Sequence, residues 1–86
     1  MRDIKEVLRE VEVVLAHYCV TDFDDFFGFI EIDMTEEEYI EFKEILEFIL
    51  DISKVIILST LNYDYDTNIC SFQYTNEALE LIRVEV

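Results

Sequence analysis

Residues 29–51 read FIEIDMTEEEYIEFKEILEFILD, and along them the spacing of apolar side chains changes from every second residue to every third or fourth. In the first six positions Ile30, Ile32 and Met34 fall on one side and Glu31 and Asp33 on the other, the pattern of a half-buried strand. From Thr35 onward, Tyr39, Phe42, Ile45, Leu46, Ile49 and Leu50 form one helical stripe. Thr35 with Glu38 three residues later has the spacing of a capping box, and Glu36 and Glu37 stand at the positive end of the helix dipole. Asp51 or Ser53 ends the helix. This strand running straight into a helix is the centre of an expected α+β protein, whose class follows from the runs of strands beside two helices in the flanking sequence.

On the N-terminal side, Ile4, Val7, Leu8, Val11, Val14, Leu15 and Tyr18 make a second helical stripe, with Asp3, Glu6, Glu10 and Glu12 off it. Asp3 and Glu6 repeat the capping-box spacing with Asp in place of Ser or Thr. Thr21 to Asp25 reads as a polar connection, and Gly28 is the only glycine. On the C-terminal side, KVIILSTLNY (Lys54 to Tyr63) is β-branched and apolar, which predicts a central strand. NYDYDTN then has the turn residues of a hairpin loop. Cys70, Phe72 and Tyr74 alternate with Ser71, Gln73 and Thr75 in a further strand. In the tail EALELIRVEV, Asn76 is able to cap a short helix, but the alternation of Ile82, Val84 and Val86 favours a strand. The expected order is α-β-α-β-β-β, with two helices on one face of a small, mainly antiparallel sheet of about four strands. No internal repeat and no linker is evident, and 86 residues make a single domain, 1–86.

The chain is 52% apolar, with seven Phe and five Tyr, so it has the material for a core in spite of its charge. The formal charge of -15 lies well outside the magnitude of roughly 2–8 usual for a small soluble domain. Such a field repels nucleic acid and anionic membranes and attracts basic protein surfaces. Cys19 and Cys70 are too few for a disulfide framework or a zinc site, and both sit in apolar segments that predict buried free thiols. VEVVLAHYCV is interrupted by Glu12 and His17 and is no signal peptide. No apolar run reaches the ~18 residues of a membrane span. A cytoplasmic location is expected.

The sequence argues against an enzyme. His17 is the only histidine, it falls on the polar side of its helix, and no glycine-rich loop or nucleophile motif is present. No cofactor is implied. Asp64-Tyr65-Asp66-Thr67-Asn68 resembles the start of a calcium loop, but Ile69 stands where the turn glycine belongs and Thr75 where the bidentate glutamate belongs. A hairpin turn is the better reading, and no metal site is expected, Asp22, Asp24 and Asp25 included.

What remains is the acid distribution. From Asp22 to Asp51 there are twelve acids and one base, Lys43. At ~100° per residue Glu36, Glu37, Glu41, Glu44, Glu47 and Asp51 share the face of the helix opposite its core stripe. The stripe from Glu37 to Asp51 would span about 21 Å at 1.5 Å per residue, with Asp22, Asp24, Asp25, Glu31 and Asp33 able to extend it. Ile40 and Phe48 sit among these acids as apolar anchors ringed by charge.

No motif places the chain in a known family. In size, charge and lack of catalytic residues its profile resembles that of small phage-encoded DNA mimics, among them anti-restriction, anti-CRISPR and glycosylase-inhibitor proteins, and that of small acidic immunity proteins. The expected function is therefore a non-enzymatic inhibitor that occupies the nucleic-acid-binding surface of a basic protein, a nuclease or defence effector, through Asp22, Asp24, Asp25, Glu31, Asp33, Glu37, Ile40, Glu41, Glu44, Glu47, Phe48 and Asp51. An immunity protein or antitoxin bound to its toxin is the alternative, followed by an oligomerising module in which the apolar residues join two copies.

Overall fold

Local hydrogen bonds start each helix where the side chains are able to supply them. The computed structural model describes residues 2–85, with α1 at Ile4–Leu15, β1 at Cys19–Asp24, β2 at Phe29–Asp33, α2 at Glu36–Phe48, a 3-10 turn at Ile52–Lys54, β3 at Ile56–Asp64, β4 at Ile69–Tyr74 and α3 at Asn76–Glu85. Asp3 caps α1 by accepting from the Lys5 N–H at 2.9 Å. Thr35 and Glu38 form the full capping box of α2, with the Glu38 N–H 3.2 Å from Thr35 Oγ1 and the Thr35 N–H 2.9 Å from Glu38 Oε1. Each such cap is worth about 1 kcal/mol.

The four strands form one antiparallel sheet in the order β1-β2-β4-β3, and the helices cover one side of it. Val7, Leu8 and Val11 of α1, Phe42 and Leu46 of α2 and Ala78 of α3 share one core with Ile30, Ile32, Cys70, Phe72 and Tyr74 of the sheet. Edge-to-face rings run through it: Tyr18 on Phe42 at 5.4 Å, Phe72 on Tyr74 at 5.2 Å, Phe23 on Tyr74 at 5.9 Å. The α+β class, the antiparallel sheet and the covered face agree with the sequence.

Several local assignments differ. Residues 19–24 are a strand, not a connection; only Phe23 is half-buried on this edge, and a bulge between Val20 and Asp22 breaks the alternation. β3 is an edge strand, not a central one. Its apolar run is used at the ends, where Val55, Ile56 and Tyr63 are buried, while residues between Ile57 and Asn62 bulge away from β4. Thr60 closes that bulge by accepting from the Gln73 N–H at 2.8 Å. The tail is a helix, not a strand. Thr75, rather than Asn76, caps it by accepting from the Ala78 N–H, and Ala78 and Leu79 go into the core while Val84 is exposed; Val86 lies outside the described residues. α2 stops at Phe48, and Leu50, expected in the core stripe, is exposed. Cys19 is exposed, and only Cys70 is buried.

The structure also contains an internal repeat. β1-β2-α2 and β3-β4-α3 are two ββα units at an offset of 40 residues, Asp64 matching Asp24, Asn68 matching Gly28 and Thr75 matching Thr35. Asp24 Oδ1 accepts from the N–H groups of Phe26 and Phe27, and Asp64 Oδ1 from those of Asp66 and Thr67. Gly28 (φ 80°) and Asn68 (φ 59°) then close the two hairpins in the left-handed region. Thr35 and Thr75 cap the two helices. In the β2–β4 register Phe29 faces Gln73, Glu31 faces Ser71 and Asp33 faces Ile69, so a local twofold passes through the Glu31–Ser71 pair. Asp24, Thr35 and Glu37 are the only identities between the units at this offset in residues 19–46, so the repeat is one of structure and does not stand out in the sequence. α1 belongs to neither unit. It packs on α3 and the 3-10 turn and reaches α2 through Tyr18.

Candidate protein-docking faces

Because all helices lie on one side of the sheet, the chain presents two acidic surfaces that face away from each other. The first is the outer side of α2. Glu36, Glu37, Glu41, Glu44 and Glu47 are exposed along it, with Lys43 the one cation of the helix. Ile40 and Phe48 stand among them, 52% and 88% exposed. From Glu37 to Glu47 the row covers about 15 Å at 1.5 Å per residue.

Asp51 does not belong to this row. It follows the helix in a left-handed conformation (φ 60°), accepts from the backbone N–H of Arg2 at 3.1 Å and lies 3.8 Å from Lys54 Nζ. Lys54 in turn donates to the Arg2 carbonyl at 2.8 Å. Asp51 therefore ties the start of α1 to the chain after α2, and its charge is matched locally. Helical periodicity carried past Phe48 is what placed it on the stripe.

The second surface is the open side of the sheet. Strand pairing puts Asp24, Phe29, Gln73 and Ile57 in one row, Asp22, Glu31, Ser71 and Asn62 in the next, and Cys19, Asp33, Ile69 and Asp64 in a third. Five carboxylates share this face, and all six lysines and arginines of the chain lie outside the strands. Sequence reading grouped Asp22, Asp24, Glu31 and Asp33 with the α2 acids; the structure brings these four together with Asp64 and separates them from α2. Asp64 is absent from the expected set because the local pattern of residues 64–68 points to a turn and says nothing of its place opposite Ile69. Its 40-residue match to Asp24 was the available clue.

Asp25 belongs to neither face. It sits at the tip of the β1–β2 hairpin, where its carbonyl accepts from Arg83 Nε at 3.0 Å. Phe26 and Phe27 beside it are exposed and pack edge-to-face at 4.8 Å.

Among the described residues there is no group of three His, Cys, Asp or Glu side chains able to hold a metal ion, and no buried polar or charged residue. Asp64–Asn68 is a hairpin turn. His17 is exposed beside the groove between α1 and α2 that Val14, Tyr18, Glu38, Glu41 and Ile45 line. Burial pushes the Cys70 thiol up to about 12 and raises the Tyr74 phenol well above its ordinary range, so both are neutral core groups. No helix among the described residues is long and apolar enough to cross a membrane. Compared with protein-family models, curated proteins and solved structures, the chain matches none.

Proposed function

We propose that the protein is a non-enzymatic inhibitor that acts in the cytoplasm by laying the outer face of α2 into the nucleic-acid-binding groove of a basic protein. This is the mode of action of acidic occluders such as phage-encoded anti-restriction and anti-CRISPR proteins. The observation that carries the reading is the row Glu37, Glu41, Glu44 and Glu47, exposed on a helix started by a complete capping box, with Ile40 and Phe48 open to solvent beside it. Carboxylates fixed on a helix attract a cationic groove at long range and raise the encounter rate. Ile40 and Phe48 then supply the desolvated contact that slows dissociation. Asp51, held by Arg2 and Lys54, is left out of the contact.

The test is affinity capture from the native host's lysate with the wild-type chain beside a Glu37→Lys/Glu41→Lys/Glu44→Lys variant and an Ile40→Ser/Phe48→Ser variant. A basic nucleic-acid-handling protein should be retained by the wild type, released by salt, and lost with the charge-reversed helix. Equal retention of that protein by wild type and charge-reversed chain would remove α2 from the interface.

A further inference from the structure

The open face of the sheet is left without a role by the α2 reading. It holds a depression of about 420 Å³ that runs between Phe29 and Ile69 and is lined also by Glu31, Ser71, Asp64 and Thr67. Phe29 is 44% exposed, a large aromatic on the side of the sheet opposite the helices. The local twofold through Glu31 and Ser71 relates Phe29 to Ile69 and Asp24 to Asp64. The floor therefore reads apolar, acidic, apolar along its length, with a carboxylate from β1 at one flank and from β3 at the other.

We propose that this face is a second docking surface and that its occupant is an extended basic segment of a partner protein with the pattern apolar-x-cation-x-apolar. Phe29 and Ile69 lie on adjacent strands at positions four residues apart along the pairing, a separation of about 14 Å at ~3.4 Å per residue and ~4.8 Å between strands. An extended chain places residues i, i+2 and i+4 on one side over that same distance. Its two apolar residues then rest on Phe29 and Ile69, and the cation between them meets Glu31. Further cations at the two ends meet Asp24 and Asp64. Charge complementarity selects this occupant over a second copy of the chain: the face carries five acids and no base, so two such faces brought together would oppose like charges throughout. The surface is distinct from α2 and points away from it, so the two are able to act at once.

The probe is the capped nonapeptide Lys-Ser-Leu-Ser-Arg-Ser-Leu-Ser-Lys, followed by amide chemical shifts of the labelled protein at low salt. A peptide of the same composition with its leucines adjacent serves as control. We expect shifts centred on Phe29, Glu31, Ile69, Ser71 and Gln73, and affinity about tenfold above that of the control, the size of one good apolar contact. Glu31→Lys and Glu41→Lys change the net charge equally; the first should weaken the peptide about tenfold or more, the second no more than about twofold. Phe29→Ser/Ile69→Ser should abolish the preference for spaced leucines. Equal binding of the two peptides, no binding of either, shifts centred on α2, or equal losses in the two Lys variants would each overturn the proposal. Glu31→Lys and Phe29→Ser/Ile69→Ser leave the α2 stripe untouched, so failure here says nothing of the lysate result, and the reverse.

Discussion

Reversing one charge in the middle of the α2 stripe should make the protein more stable while making it a worse binder. Glu41 is exposed one turn from Glu37 on one side and Glu44 on the other. Glu38 also lies three residues away, but its carboxylate is turned back to the Thr35 N–H. Like-charge neighbours at this spacing cost about 0.2–0.5 kcal/mol each, and opposite charges return a similar amount. Glu41→Lys converts two repulsive pairs into attractive ones, a swing of about 0.8–2 kcal/mol, which solvent screening reduces to about 1 kcal/mol. In a domain of this size that raises the melting temperature by about 4–8 °C. Glu41→Gln, which only removes repulsion, should give about half the gain. Urea unfolding followed by circular dichroism, at low salt and again in molar salt, measures both, and the gain should vanish at high salt as screening shortens to about 3 Å. If Glu41→Lys is neutral or destabilising at low salt, the stripe is not strained, and the idea that stability is given up there for binding fails.

Other consequences are open to measurement. The Tyr63 hydroxyl lies 2.9 Å from both the Met34 carbonyl and Asn68 Oδ1, joining the β3–β4 hairpin to the start of α2; Tyr63→Phe should cost about 1–3 kcal/mol in urea unfolding by leaving the buried Met34 carbonyl without this donor. A Cβ at Gly28 would stand 3.3 Å from Leu79 Cδ2 on a backbone with φ 80°. Gly28→Ala should therefore destabilise by about 1–2 kcal/mol, with the β1–β2 hairpin amides exchanging first in hydrogen-exchange experiments. A thiol reagent should titrate one cysteine in the native protein, the exposed Cys19, and two in denaturant, as Cys70 is buried. Burial raises the Cys70 thiol from its ordinary value near 9 to about 12, so between these values the folded state holds a proton that the unfolded chain has lost. Stability is then complete below about pH 9 and falls as pH rises toward about 12; Cys70→Ala should flatten that fall in pH-dependent unfolding.

The sequence alone determined what depends on a few neighbouring residues. The start of α2 was legible because Thr35 and Glu38 bond to backbone groups within one turn, and the β2 strand because Ile30 and Ile32 alternate with acids. The Asp64–Asn68 turn was legible because an aspartate binding N–H groups two and three residues on needs no distant partner. Tertiary structure alone decided which strands are central, because β3 meets β4 on only one side and bulges at Thr60, and no local pattern encodes a missing neighbour. It decided that the tail is helical, because Ala78 and Leu79 had a core to enter while the alternating Val84 had none. Above all it decided which acids share a face. Strand pairing sets Asp22 beside Glu31 and brings Asp64 from the far edge strand onto the same side of the sheet, whereas Asp51, close to the stripe in sequence, is drawn away by Arg2 and Lys54. Charge is a property of composition, but a charged face is a property of packing, since it depends on which side of the sheet the helices cover.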